Sequence, residues 1–371
     1  MTITEIKIPF ENLTRQYLQI KEEIADAIGE VLPSGRYVMG PMLSKFEADF
    51  SAYCGTKYCA GISNGTEALH LSLLACEVGR GDEVITVPNT YIATVFAITY
   101  TGATPVFVDI DPVTYNIDPK RVEEAITPHT KAMMLVSING RCPDMEKAQE
   151  ICQRNNIHLI EDAAQSLGSR YKDKHLGTWG EIGSFSFSAP KVITTGQGGA
   201  LVTDDPLLDA RMRKVKDFGR RQPGEDYYES VGYNFKFTDL QAVVGIEQMK
   251  KLPWRVERKK EMLKLYQAQL EDVWAVSFPT TDTKEVCPWF IDIIVPDPNA
   301  LKIYLESRGV GSRLVYPALH SQPAFNLPGS YPVAEYIAKY GLWLPSSSFL
   351  SDKDIYRVCS YIRYYYETMR W

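Results

Sequence analysis

The chain has 371 residues, 45% of them hydrophobic, and a formal net charge of −6. That length and apolar content allow a large buried core divided between two domains. The acidic balance argues against a nucleic-acid partner or an anionic-membrane surface.

In chain order, Met1-Thr-Ile-Thr-Glu-Ile-Lys-Ile has no apolar run behind a basic start, so no export signal is expected. Short β-rich runs at 58–62, 83–87, 104–108, 132–136 and 158–161 then alternate with helical patterns at 67–76, 92–99, 119–126 and 145–154. This alternation predicts a mostly parallel sheet covered by helices on both faces, with ligands at the C-terminal ends of the strands. Residues 84–108 carry no charge, but Pro88, Asn89, Gly102, Pro105 and six threonines break them into strand, helix and strand. A buried core is therefore expected there rather than a membrane span. Further strands at 183–187 and 199–203 flank a turn, and a helical pattern from 237 to about 269 leaves the sheet. Segments 287–295, 301–307, 311–315 and 353–369 predict a smaller α/β domain. A boundary at Leu252-Pro253 gives a large domain over 1–252 and a small one over 253–371, with the extreme N-terminus free to pack on the small one.

The basic run 255–260 reads as a solvated helix face. Seven cysteines, odd in number and without a C-x-x-C pair, predict a reduced cytoplasmic protein. Five histidines without an H-x-x-x-H or Cys/His cluster predict no metal site. Gly196-Gln-Gly-Gly199 lacks the final glycine of a dinucleotide fingerprint and the Gly-Lys-Ser/Thr of a P-loop, and no Gly-x-Ser-x-Gly elbow occurs.

Chemistry concentrates in two places. Asp162 follows the apolar run His158-Leu-Ile-Glu161, and Lys191 sits in the hydroxyl- and glycine-rich stretch Ser184-Phe-Ser-Phe-Ser-Ala-Pro-Lys191-Val-Ile-Thr-Thr-Gly. A carboxylate at a strand end and a lysine in such a turn supply a counter-ion for a pyridinium nitrogen and an amine for a Schiff base, the two groups a pyridoxal phosphate enzyme needs. Ser186, and the helix start Ser63-Asn64-Gly65-Thr66-Glu67, offer hydroxyl and backbone N–H groups to a phosphate.

The chain also resembles the sugar aminotransferases of the DegT type, members of the fold-type-I pyridoxal phosphate enzymes. The resemblance runs from about Phe10 to the C-terminus. It is carried by Ser34-Gly-Arg-Tyr-Val-Met-Gly-Pro41, Ser63-Asn-Gly-Thr-Glu-Ala-Leu69, Gly81-Asp-Glu-Val84, Asn89-Thr-Tyr-Ile-Ala-Thr94 and Gly102-Ala-Thr-Pro-Val106. It continues in Glu161-Asp-Ala-Ala-Gln165, the lysine turn, Gly232-Tyr-Asn-Phe-Lys-Phe-Thr-Asp-Leu-Gln241 and Tyr316-Pro-Ala-Leu-His320.

The resemblance implies a fold-type-I α/β architecture, with Lys191 forming the Schiff base to pyridoxal 5'-phosphate and Asp162 pairing with its ring nitrogen. It sets Tyr91 over the cofactor ring, Gln165 beside the ring hydroxyl, and Gly65, Thr66 and Ser186 on the phosphate. Asn234 would reach the phosphate of a partner subunit, making a homodimer with shared active sites. Arg313, Tyr316 and His320 would bind substrate. The implied reaction takes an amino group from glutamate to a nucleotide-linked keto-6-deoxyhexose. Its alternatives are another fold-type-I reaction, such as a lyase or sugar 3-dehydration, the latter disfavoured because that branch has histidine where this chain keeps Lys191, and a non-catalytic cofactor-binding regulator.

Three departures bear on the substrate. Ser137-Ile-Asn-Gly140 stands for His-Leu-Tyr-Gly, Gly196-Gln-Gly-Gly199 for Gly-Glu/Asp-Gly-Gly, and Pro345-Ser-Ser-Ser-Phe349 is atypical. The Ile193-Thr-Thr-Gly turn resembles enzymes acting at C4, the reading favoured here, whereas the Arg15-Gln-Tyr and Ser34-Gly-Arg-Tyr-Val start resembles those acting at C3.

Overall fold

The computed structural model describes residues 6–325 and 327–368. Its first five strands are β1 (Tyr58–Ile62), β2 (Glu83–Thr86), β3 (Thr104–Phe107), β4 (Thr130–Val136) and β5 (His158–Asp162). A two-residue hairpin, β6 (Arg170–Tyr171) and β7 (Lys174–His175), precedes β8 (Ile182–Ser186) and β9 (Gly199–Thr203). Seven of these form one sheet in the order β1-β9-β8-β5-β4-β2-β3, in which β9 runs against its neighbours and the other pairings are parallel.

Successive residues of a strand point to opposite faces, and both faces of this sheet are buried. Cys59, Ile85, Met133, Leu135, Leu159, Phe185 and Val202 enter one core, built around Phe46, Phe50, Phe187 and Phe237. Ala60, Val84, Ala132, Met134, Ile160, Ile182 and Leu201 enter the other, covered by Leu69, Leu73, Ala97 and Ile98 of the helices Gly65–Ala75 and Ile92–Tyr100. Residues 84–108 thus contribute β2, a helix and β3 to a core, and among the described residues no helix is long and apolar enough to cross a membrane.

The smaller C-terminal α/β domain has an antiparallel sheet in which β12 (Gly341–Leu344) lies between β10 (Ile291–Ile294) and β11 (Arg313–Leu314). Ile8 bridges to Val310 and accepts from Gly311 N at 2.9 Å, so an N-terminal residue joins this part of the fold. Two buried acids tie the parts together. Asp292 receives a bidentate bond from Arg141 at 2.9 and 2.7 Å, and Asp109 accepts from Val333 N and Ala334 N, at 3.0 and 3.1 Å, at the start of the helix Pro332–Tyr340. The helix Asp352–Thr368 closes the described chain, and Met369, the expected helix end, lies outside the described residues.

Two expectations are corrected. The single helix from 237 to about 269 is two, Asp239–Lys250 and Leu252–Leu270, because Pro253 brings no N–H and sits where a new helix begins. Nor is the 255–260 run wholly solvated: Arg255 and Lys259 are 1% and 4% exposed. At a spacing of four they share the helix face that buries Val256, Met262 and Leu263.

Candidate active site

Every parallel strand of the large sheet delivers a loop to the same end, and most of the anticipated site residues stand there. Beyond β1, Asn64 caps the helix Gly65–Ala75 by accepting from Glu67 N at 2.9 Å, leaving the first-turn N–H groups of Gly65 and Thr66 free of intrahelical bonds. Gly65 is required by close approach, since a Cβ there would lie 2.8 Å from the Cβ of Ser186, the last residue of β8. Glycine, threonine amides and serine hydroxyl thus border one end of a cavity of about 660 Å³.

Asp162, the last residue of β5, borders the same cavity and is 5% exposed. Its Oδ2 accepts from Thr94 Oγ1 at 2.7 Å and its Oδ1 from Ala164 N at 3.2 Å, while Thr94 is itself 2.8 Å from Thr90 Oγ1. Burial raises the carboxyl above its usual range, opposed by the Thr94 hydroxyl, the Ala164 N–H and the charge of Lys191. Burial also brings the Lys191 ammonium down to about 7, against the pull of Asp162. An amine poised there is available as a nucleophile and a proton carrier near neutral pH.

Lys191 lies in the turn between β8 and β9, with its Nζ 3.7 Å from the centre of the Trp289 ring. Tyr91, at the start of the helix Ile92–Tyr100, is half exposed and meets Tyr316 at 5.4 Å between ring centres. Tyr316 packs edge-on against Trp343 at 4.7 Å, and Arg313 lies over both rings. Gln165 is held by the loop after β4, where Asn139, at a left-handed φ of 47°, donates its N–H to Gln165 Oε1 at 3.1 Å. With Oε1 engaged, the amide NH₂ remains for the cavity side.

Nine of the anticipated residues border this cavity: Gly65, Thr66, Tyr91, Asp162, Gln165, Ser186, Lys191, Arg313 and Tyr316. Asn234 does not; it is exposed, and its backbone bridges to Asp217. His320 does not either, because the turn Leu319–Ser321 is tied to Pro88 O and its ring meets Tyr331 and lies 3.3 Å from Glu335. Thr94, Asn139 and Trp289 were not anticipated. Thr94 carried a signal, standing one helical turn after Tyr91, whereas nothing near Trp289 in sequence points to Lys191. At the opposite end of the sheet, Cys76, His158 and Glu181 place one donor atom each within 4.8 Å of the others, a grouping that sequence spacing had not suggested.

The sequence profile of the DegT/DnrJ/EryC1/StrS aminotransferase family matches residues 18–363. The dTDP-3-amino-3,6-dideoxy-alpha-D-galactopyranose transaminase of Aneurinibacillus thermoaerophilus is 35% identical over 363 residues, 96% of this chain and 99% of that protein. Among solved structures, S. venezuelae DesV in complex with a ketimine intermediate superposes with a TM-score of 0.94 at 35% identity, covering 98% of this chain and 99% of that one. NtdA from Bacillus subtilis with bound cofactor PMP superposes at 0.90 with 28% identity, covering 98% and 86%.

Proposed function

Because this chain belongs to the DegT/DnrJ/EryC1/StrS aminotransferase family, a family of pyridoxal phosphate-dependent sugar aminotransferases, we propose that it moves an amino group from glutamate to a nucleotide-linked keto-6-deoxyhexose. The observation that carries this reading is the cavity itself, where a buried carboxylate, a lysine with a depressed pKa and a glycine–serine cradle converge. These residues fit pyridoxal 5'-phosphate: an anion for a ring nitrogen, free first-turn amides for a phosphate and an amine for an aldehyde carbon.

When bound, that cofactor supplies an electrophilic carbon for amine exchange and a ring that accepts an electron pair. Asp162 would hold positive charge on the ring nitrogen, with Thr94 and Ala164 keeping the carboxylate aimed. Gly65, Thr66 and Ser186 would hold the phosphate. Gln165 would donate to the ring hydroxyl, and Tyr91 would cover the ring. Lys191 Nζ would take the proton from the donor α-carbon and, in the reverse sense, would deliver one to the acceptor carbon that receives the amine. Arg313 and Tyr316 bind the substrate's anionic and apolar parts.

For the position of amination there are two readings. The Ile193-Thr-Thr-Gly turn favours C4, although Ile193 is fully buried and not at the cavity. The 3-amino product named for the Aneurinibacillus relative favours C3. Incubating the protein with glutamate and a panel of nucleotide-linked 3-keto and 4-keto sugars decides both position and reaction. Amino sugar and 2-oxoglutarate should appear in equal amounts. A deoxygenated ketose would mean dehydration, and no turnover would mean a regulator.

The assembly we propose is a homodimer in which Asn234 serves the partner's site, and the exposed Phe218, Tyr227, Tyr228 and Val231 on the segment leading to it support an apolar contact. Mixing Lys191→Ala with Asn234→Ala subunits should restore part of the activity, because one site of the mixed dimer carries both defects and the other neither. Verified exchange without recovery would refute shared sites. His320 enters this reading only through its neighbours, behind Tyr331. A domain boundary at 252/253 and a cytoplasmic location are proposed as well, the latter on the seven thiols that the fold leaves unpaired.

A further inference from the structure

Arg255 and Lys259 lie four residues apart on the inward face of the helix Leu252–Leu270, and both are almost fully buried. Two cations at that depth are costly, and apolar side chains of similar size would pack there at less cost. The strain is visible: Arg255 Nε and Nη2 are buried without a hydrogen-bond partner among the described residues, and burial holds the guanidinium down at about 10 against the pull of Glu11. Countercharge comes from Glu11, whose Oε1 is 3.7 Å from Lys259 Nζ.

Their hydrogen bonds converge on one place. Arg255 Nη1 donates to Val192 O at 3.2 Å, the carbonyl of the residue after Lys191. Lys259 Nζ donates to Trp289 O at 2.8 Å and to Ser346 O. Trp289 in turn donates its indole N–H to Pro190 O at 2.7 Å, the carbonyl before Lys191, and places its ring 3.7 Å from Lys191 Nζ. The chain is therefore restrained at the carbonyl just before Lys191 and at the carbonyl of the residue just after it, and both restraints trace to one face of one helix.

We propose that Arg255 and Lys259 are positioning residues, which hold the Lys191 turn and its aromatic wall so that the amine stays in the cavity that Asp162 borders. The inference rests on Lys191 being the reactive amine. A restraint on that turn matters because a displacement of about 1 Å at a reacting group can cost about 100-fold in rate.

The test uses the full-length protein with Arg255→Met, Lys259→Met and the conservative Arg255→Lys and Lys259→Arg. Three quantities are read: hydrogen exchange in peptides covering 189–193, the pH profile of Lys191 modification by an amine-directed reagent after cofactor removal, and the split between kcat and KM. In the Met variants exchange at 189–193 should rise about tenfold, the modification profile should move, and kcat should fall about 10- to 100-fold with KM for the donor unchanged. The conservative variants should recover most of each change, since a donor persists. A purely structural role would loosen the helix Leu252–Leu270 and lower the melting temperature while leaving the Lys191 profile and kcat at wild-type values, and that pattern would overturn the proposal. Should a Met variant not fold, Arg255→Gln, whose shorter amide loses the Val192 carbonyl, replaces it, and wild-type exchange at 189–193 would overturn the proposal equally. Borohydride reduction of the wild type separates the two readings. A label on Lys191 keeps the amine assignment whatever the variants do, and a label elsewhere removes that assignment first.

Discussion

Glu161 and Asp162 are neighbours on β5 with the same charged group and nearly the same burial, yet their surroundings divide them. Glu161 sits in a cage of backbone donors: Gly177 N at 2.7 Å on one oxygen, Trp179 N at 2.5 Å and Gly180 N at 2.7 Å on the other. Asp162, on the opposite face of the strand, has one hydroxyl and one amide and opens to the cavity. Burial raises both carboxyls, so depth does not separate them. What separates them is how many lone pairs the fold has already committed. A fully satisfied buried carboxylate organises a loop, and a partly satisfied one can serve a ligand.

The largest effect should come from the amine that Asp162 faces. Lys191→Ala should abolish turnover, because it removes both the proposed nucleophile and the proposed proton carrier. After borohydride reduction of wild type, peptide mapping should find the label on Lys191, and a label on Lys174 or Lys236 would break the assignment.

The comparison itself is tested by paired substitutions. Asp162→Asn should lower kcat by several orders of magnitude with little change in melting temperature, since a neutral amide cannot hold the ring nitrogen's charge. Glu161→Gln should do the reverse, leaving the folded enzyme's kcat within a few-fold while destabilising it by about 2–4 kcal/mol, as amide hydrogens replace an acceptor among three N–H donors. If both variants lose turnover equally at full folding, the division between the two carboxylates fails.

Thr94→Val sharpens the point at smaller magnitude. The Thr94 hydroxyl lowers the Asp162 pKa, so its loss should raise it further, and the carboxylate should then take up a proton at a higher pH. The acid limb of the kcat profile should move upward, with a loss of about tenfold near neutrality. An unmoved limb would mean that this bond does not tune Asp162.

The smallest effect concerns stability. An unfolded lysine keeps its proton to about pH 10.4, whereas folded Lys191 releases it at about 7. Between those values the unfolded state binds more protons, so this group makes stability rise with pH across the window. Cofactor-free Lys191→Met should therefore melt above wild type at pH 6, and the gap should narrow by pH 9. A constant gap would place the cost of Lys191 in packing rather than in its charge.

Much of this molecule was legible because it is local. Alternating strand and helix periods predicted a parallel sheet, and the residues at or just past the C-terminal ends of β1, β5 and β8 are where such a sheet presents ligands, so Gly65, Asp162 and Ser186 could be named with their chemistry. Lys191 was legible from its turn. Contacts between distant segments were not. Arg255 and Lys259 read as a solvated run, since residue type gives the usual environment of a charge and not the particular carbonyls that draw it inward. Trp289, Asn139 and the cage around Glu161 depend on partners brought together by folding, and so does the place of His320, whose loop is tied to Pro88 O and whose ring stands against Tyr331 rather than at the cavity. Periodicity and residue chemistry act over a few bonds and are written in order along the chain. The satisfaction of buried polar groups is decided only when segments far apart in sequence compete for the same donors and acceptors, and here that competition made one carboxylate of an adjacent pair structural and left the other open to a ligand.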